Sequence, residues 1–288
     1  MGKQGREMEV QAAKRRRVMW ALWSGGIVVV IILFIILAKV VSNSSGSTAS
    51  TSSSPAPASL VTKVTGIPTS VFESVGQGTS TPLPKPISAP ALSQNGKPRI
   101  VYLGAEYCPY CATERWPMVI SLSRFGTFSN LGVTHSSSTD VFPSTQTFSF
   151  HGSTYNSQYV VFTPVEMQSN VLVGGSYAVL DTPTSEEQAL LTKYDAPPYT
   201  SSTGGIPFIY FGGQYLISGS TYDPSVLQGK TADEIATALS DPSTKISQGA
   251  IGAANAITAT ICSMTGDQPG SVCSDSVIQA LEKKISTQ

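Results

Sequence analysis

The chain has 288 residues, which allows one ordinary domain with additions or two small domains. Hydrophobic residues make up 41 %, enough to build a core, while only 12 % are charged and the formal net charge is zero, so the basic surface of a nucleic-acid binder is excluded. Four cysteines permit two disulfides in three pairings, and only two histidines, His135 and His151, exclude a His-rich metal cluster.

Residues 1–17 form a basic tail with Lys3, Arg6 and the run Lys14 to Arg17. Val18 to Ala38 then carries no formal charge for 21 residues, with Trp20 and Trp23 near its start. A helix of that length matches a hydrocarbon core of about 30 Å, which predicts a transmembrane anchor over 18–41. Lys39 can snorkel at its far end. The basic tail belongs in the cytoplasm, so the C-terminal part is expected outside the cell membrane. The competing reading is a cleaved signal peptide, but its apolar region runs about 7–15 residues, and Lys39-Val40-Val41 is a poor cleavage site. Residues 42–59, rich in Ser, Thr and Pro, have little apolar surface to bury and predict a flexible linker. Asn43-Ser44-Ser45 is a glycosylation sequon within it. Residues 60–98 predict a helical lead-in, with Pro68 starting a second helix and Val71, Phe72 and Val75 facing the domain, then a Pro-rich extended connector.

Arg99 to Gly104 is a short apolar run that predicts a buried strand. Cys108-Pro109-Tyr110-Cys111 follows, and Ala112 to Phe125 predicts a helix with Pro117 inside it. This order places Cys108 at a helix N-terminus, where unpaired N–H groups and the helix dipole stabilise a thiolate. Cys108 is then the attacking sulfur and Cys111, one turn on, the resolving one. A static disulfide and half of a zinc site are the alternatives; Cys262 and Cys273 lack zinc-knuckle spacing. Further on, Gly204 to Gly219 predicts a hairpin in which two apolar runs flank Gly212-Gly213, with Pro207 at the start of the first strand and Ile206-Pro207 as a candidate cis bond.

The segment VYLGAEYCPYC, ending at Cys111, resembles the active-site segment of thioredoxins and glutaredoxins, and Ile206-Pro207 resembles their cis-proline loop. The resemblance implies an α/β thioredoxin-like fold over 99–288 with Cys108 and Cys111 catalytic. It implies that Ile206, Pro207, Tyr107, Pro109 and Tyr110 contact the thiol substrate. Two departures stand out. Thioredoxins carry a buried acid six positions before the first Cys, where this chain has Tyr102. Cys111 and Pro207 are also 96 positions apart, which predicts an insertion at about 126–203, as in the periplasmic disulfide-forming branch. Within it, Leu131–Ser136, Thr147–Phe150 and Tyr159–Phe162 predict strands and Thr184–Tyr194 a helix. Glu106 reads as a solvated carboxylate and His151 as surface polar without a role. The outward chain from about 60 to 285 also resembles an uncharacterised, largely archaeal family called domain of unknown function 929. That resemblance rests on VTGIPTSVFESVG, YLGAEYCPYCATERWP, GGIPFIYFGGQY and ITATICSMTGDQP.

Toward the C-terminus, Asp223–Leu227, Ala232–Leu239, Ile246–Met264 and Ser274–Ile285 predict helices, with a capping box at Thr231 and Glu234. Cys262 and Cys273 flank a Gly/Pro loop and predict a structural disulfide contributing about 2–4 kcal/mol; a second redox pair is the alternative. The functional expectation is a membrane-anchored extracytoplasmic thiol–disulfide oxidoreductase, oxidase or isomerase rather than reductase. It would act on thiols or disulfides of exported proteins with a separate redox partner, and would need no cofactor and no metal. The runner-up is a thioredoxin-fold binding module whose cysteines are only a clasp. A metallochaperone is disfavoured by the lack of nearby Met and His ligands.

Overall fold

A computed structural model describes residues 52–288. The basic tail, the expected span 18–41, Asn43 and most of the linker lie outside the described residues. Among the described residues no helix is long and apolar enough to cross a membrane.

The composition predicts a free linker to residue 59, but its end is docked. Ser54–Pro55 (β1) pairs with Val133 and Gly132, and the Ala56 N–H donates to the Leu131 carbonyl at 2.8 Å. A sheet edge recruits main-chain groups whatever the side chains are, so composition does not reveal this contact. Ala58–Thr65 (α1) turns in Leu60 and Val64, and Thr69–Val75 (α2) buries Val71, Phe72 and Val75 at the predicted spacing. The predicted connector 77–98 holds two short strands, Lys85–Pro86 (β2) and Ser93–Gln94 (β3). Asn95 and Gly96, both at positive φ, turn β3 into Lys97–Gly104 (β4).

After β4 come Pro109–Leu122 (α3), Gly126–Ser129 (β5), Gly132–His135 (β6), Gln146–Ser149 (β7), Thr154–Ser157 (β8), Val161–Glu166 (β9), Gln168–Val173 (β10), Ser176–Val179 (β11) and Ser185–Tyr194 (α4). Phe208–Phe211 (β12) and Tyr215–Ser218 (β13) form the predicted hairpin. A 3-10 turn at Pro224–Leu227 leads to Ala232–Leu239 (α5), Lys245–Thr265 (α6), Gly270–Cys273 (α7) and Ser276–Ser286 (α8). Both predicted helix starts are capping boxes, Thr184 with Glu187 and Thr231 with Glu234.

β4 is the centre of a six-stranded mixed sheet. β9 runs parallel to it on one side; β12 runs antiparallel on the other, followed by β13 and β2. A strand paired on both sides and covered on both faces has no solvent face, so it reads as a continuous apolar run. Its alternate side chains split between two cores. Ile100 and Tyr102 join Ile209, Phe211 and Ile217 under α3 and α6, with Trp116 and Ile257 among the covering residues. Val101 and Leu103 join Phe208, Tyr210 and Leu216 on the other face, where α4 contributes Tyr194, Leu190 and Leu191. Arg99 fastens the first turn of α4 to β4, reaching Glu186 at 2.5 Å and Glu187 at 2.6 Å.

The stretch 126–203 is therefore not a simple insertion, because its β9 is the parallel neighbour of β4. The sequence reading places a strand at Tyr159–Phe162, but the strand continues to Glu166 through Thr163 and Pro164. β9 pairs only with β4, and its open side tolerates the missing N–H of Pro164. Four further strands of this stretch have no counterpart in the sequence reading. β5 pairs with β8 where only a turn is expected. β10 and β11 form a hairpin around Gly174-Gly175, whose φ values of 61° and 86° suit a tight turn.

Cys262 and Cys273 are bonded as predicted, with an S–S distance of 1.93 Å and a Cα–Cα distance of 5.6 Å. The bond joins the last turns of α6 to the end of α7.

Candidate functional site

Cys108 is the N-cap of α3, with φ −76° and ψ 122°, and Pro109 takes the first helical position, where a missing N–H costs nothing. The Cys111 N–H donates to Cys108 Sγ at 3.2 Å. On its other side, Cys108 Sγ lies 3.6 Å from the Ile206 carbonyl, to which the thiol can donate. The Ile206–Pro207 bond is cis, and Pro207 is buried with its carbonyl accepting from the Gly219 N–H at 2.8 Å. Sequence separation hides this contact between the first cysteine and the proline loop; β12, antiparallel to β4, closes it. Asp195 supports the strand behind the loop by accepting from Ser218 Oγ at 2.7 Å.

The two sulfurs differ. A hydrogen bond from the Cys111 thiol holds the Cys108 thiol below the ordinary cysteine value, outweighing burial, with the Cys111 amide and the Arg115 charge also favouring the thiolate. Burial pushes Cys111 well up, and its bond to Cys108 adds to the rise. This asymmetry matches the expected roles of attacking and resolving sulfur. Neither cysteine is widely accessible: Cys108 is 4 % exposed and Cys111 is fully buried.

The other predicted contact residues divide. Tyr110 is exposed beside Cys108 and meets the Phe142 ring edge-on at 5.9 Å. Pro109 is buried in the first turn. Tyr107 turns away to stack on Tyr177, centroids 4.2 Å apart and nearly parallel, while its carbonyl accepts from the Ser137 N–H at 2.7 Å. It builds the wall of the site rather than its floor.

Beneath the cysteines lies a polar cluster that spacing alone does not reveal. Glu106 is fully buried, not solvated, and accepts from Ser149 Oγ at 2.6 Å. Arg115, one turn after Cys111, is fully buried and grips the Glu166 carboxylate with Nε and Nη2, both at 2.7 Å. Nη2 also reaches the Ala105 carbonyl at 2.8 Å. Burial works against the Arg115 charge, but Glu166 more than offsets it and raises its value further. The clue to Arg115 is its position four after Cys111, on the same helix face. Glu166 comes from β9 and leaves no local signal.

Pro117 cannot donate to the carbonyl of Thr113, the residue four before it. The Tyr222 hydroxyl takes that acceptor at 3.0 Å. Glu114, also buried, accepts from the Thr221 N–H at 2.8 Å and from its hydroxyl. The same two-residue stretch after β13 thus holds α3 against the sheet. His151, expected to be a surface residue without a role, is partly buried and pairs with Asp181 at 2.8 Å. Among the described residues no group of three or more His, Cys, Asp or Glu side chains is placed to hold a metal ion.

The family described as Domain of unknown function (DUF929) matches residues 85–263, and the chain belongs to it. No curated protein and no solved structure matches the chain.

Proposed function

We propose that this member of the domain of unknown function 929 family is a thiol–disulfide oxidoreductase of thioredoxin-like fold, with Cys108 as the attacking sulfur and Cys111 as the resolving one. The observation that carries the reading is the setting of Cys108. It caps a helix, its sulfur accepts the Cys111 amide, and it faces the carbonyl of a cis Ile206–Pro207 bond. The strand arrangement supports the fold. β4, α3 and parallel β9 are followed by antiparallel β12 and β13 and then by α6, which is the order of a minimal thioredoxin core. Ile206, Pro207 and exposed Tyr110 would contact an extended client, while Tyr107 and Pro109 shape the site around it.

In this reading a client disulfide is attacked by the Cys108 thiolate, giving a mixed disulfide and a client thiol, and Cys111 then releases the second client thiol. Run in reverse, the oxidised pair accepts electrons from client thiols, the direction favoured for an outward-facing protein with the expected anchor at 18–41. Its clients would be exported proteins, and a separate redox partner would reset the pair.

Alkylation of Cys108 with iodoacetamide as a function of pH tests the proposal. The expected midpoint lies below the ordinary cysteine value of about 8.5. Equilibration with glutathione then gives the potential, and refolding of a reduced client gives the direction. A midpoint at or above the ordinary value, with a pair that resists mild reductants, supports the second reading, a closed clasp on a binding module. The near-complete burial of both sulfurs is the observation in favour of that reading.

A further inference from the structure

Two polar atoms beneath the cysteines have no hydrogen-bond partner among the described residues: Arg115 Nη1 and the Tyr102 hydroxyl. Both side chains are fully buried. A buried donor left without a partner is costly, so unpartnered donors gathered in one place call for an acceptor. These two are neighbours of Cys111. Arg115 follows it by one turn on the same face of α3. The Tyr102 ring lies over Gly104, where an added Cβ would stand 2.3 Å from the phenol oxygen, and Gly104 is paired across the sheet with Glu166, the partner of Arg115. The Cys111 sulfur accepts the amide of Ala105, the residue after Gly104, and the charge of Arg115 acts on it. The buried carboxylates of the cluster already have partners, Glu166 in Arg115 and the Phe150 N–H, and Glu106 in Ser149, and the Cys111 sulfur lies one turn from Arg115 on the same helix face.

We infer that Tyr102 and Arg115 form a buried donor site for the Cys111 thiolate, stabilising it when it attacks the mixed disulfide and when it is expelled from the oxidised pair. The inference rests on the redox reading of the cysteines and assigns positioning roles to two residues outside the motif. In the attack, the Cys111 Sγ–Cys108 Sγ bond forms and the Cys108–client S–S bond breaks. The Cys111 proton is lost and the departing client thiolate gains one, so the client is reduced by the two electrons that the pair gives up. Cys111 is the sulfur that needs help, because burial disfavours its charge. Arg115 supplies a positive charge and Tyr102 an O–H.

A nitroaromatic disulfide that releases a coloured thiolate separates the two sulfurs. Cys108 attacks it first and releases one thiolate; Cys111 then attacks the Cys108–aryl disulfide and releases the second. In the full chain in detergent, Tyr102→Phe should leave the first phase unchanged. It should slow the second about tenfold and move its pH midpoint up by about one unit. The thermal midpoint should not fall, because the lost hydroxyl has no partner. A purely structural Tyr102 would give the opposite pattern, with lower stability and unaltered kinetics. Arg115→Met with Glu166→Met, which keeps the volume and leaves no lone charge, should slow the second phase at least as much. Two normal phases in Tyr102→Phe would overturn the inference while the redox reading stands. No thiolate release from the reduced parent protein would remove the redox reading and the inference together.

Discussion

The two cysteine pairs occupy opposite ends of their helices. Cys108 caps the N-terminus of α3, where amides point at its sulfur. Cys262 lies in the last turn of α6, where its carbonyl accepts from the N–H groups of Gly266 and Asp267. Burial does not separate them: three of the four sulfurs belong to fully buried residues, and Cys108 is 4 % exposed. What differs is the field. The first pair has helix N-terminal amides and a guanidinium that favour a thiolate; the second sits at the end of a helix dipole that opposes one. The difference teaches that a CxxC motif gains reactivity from the element that follows it and from the charge beneath it.

The comparison can be broken most severely at the charge. Arg115→Ala leaves Glu166 buried and unpaired, and should cost about 3–5 kcal/mol in urea unfolding. The Arg115→Met, Glu166→Met pair should recover most of that. If the single variant were as stable as the parent, the cluster would not be the support described here.

A second effect sharpens the contrast through pH. Burial raises the Glu114 carboxyl from 4.5 to about 7, against its bonds from Thr221. The folded state then holds a proton that the unfolded chain has released, so this group makes stability fall as pH rises from about 4.5 to about 7. The full window corresponds to about 3 kcal/mol. Glu114→Gln should flatten the dependence in denaturation curves across that range. An unchanged slope would show that Glu114 does not titrate there. Near the second pair, burial and the neighbouring Asp267 raise the Glu282 carboxyl.

The third effect is the smallest. Replacing Cys262 and Cys273 together by alanine should cost about 2–3 kcal/mol, as expected for opening a short loop. The alkylation profile of Cys108 should stay the same. A changed profile would mean that the second pair also takes part in exchange.

Local chemistry was legible before the fold was. The strand, the helix N-terminal position of Cys108, the hairpin around Gly212-Gly213, the capping box at Thr231 and the Cys262–Cys273 bond all depend on residues near one another in sequence, or on a loop with flanking cysteines. The departures arise where partners are distant. β9 is broken in sequence by Thr163 and Pro164 and becomes a strand because β4 lies beside it. Glu106 looks solvated until β7 brings Ser149 over it. The buried cluster of Tyr102, Arg115 and Glu166 is assembled from β4, α3 and β9, which no window of sequence contains. The β10–β11 hairpin is a different case. Its Gly174-Gly175 turn lay between apolar runs, and the signal was present.

The main-chain bonds around the cysteine loop carry a consequence for how the site opens. Glu106 donates to the Gln168 carbonyl, Met167 to the Gly104 carbonyl and Ser137 to the Tyr107 carbonyl, each within 2.8 Å. These bonds stitch the loop to β10 and to the segment after β6, so it cannot lift alone. Local unfolding proceeds in cooperative units whose members open together. The three bonds predict that the loop, the start of β10 and residue 137 open together, so the Glu106, Met167 and Ser137 amides should exchange with solvent at one common rate, and that this shared opening exposes buried Cys111.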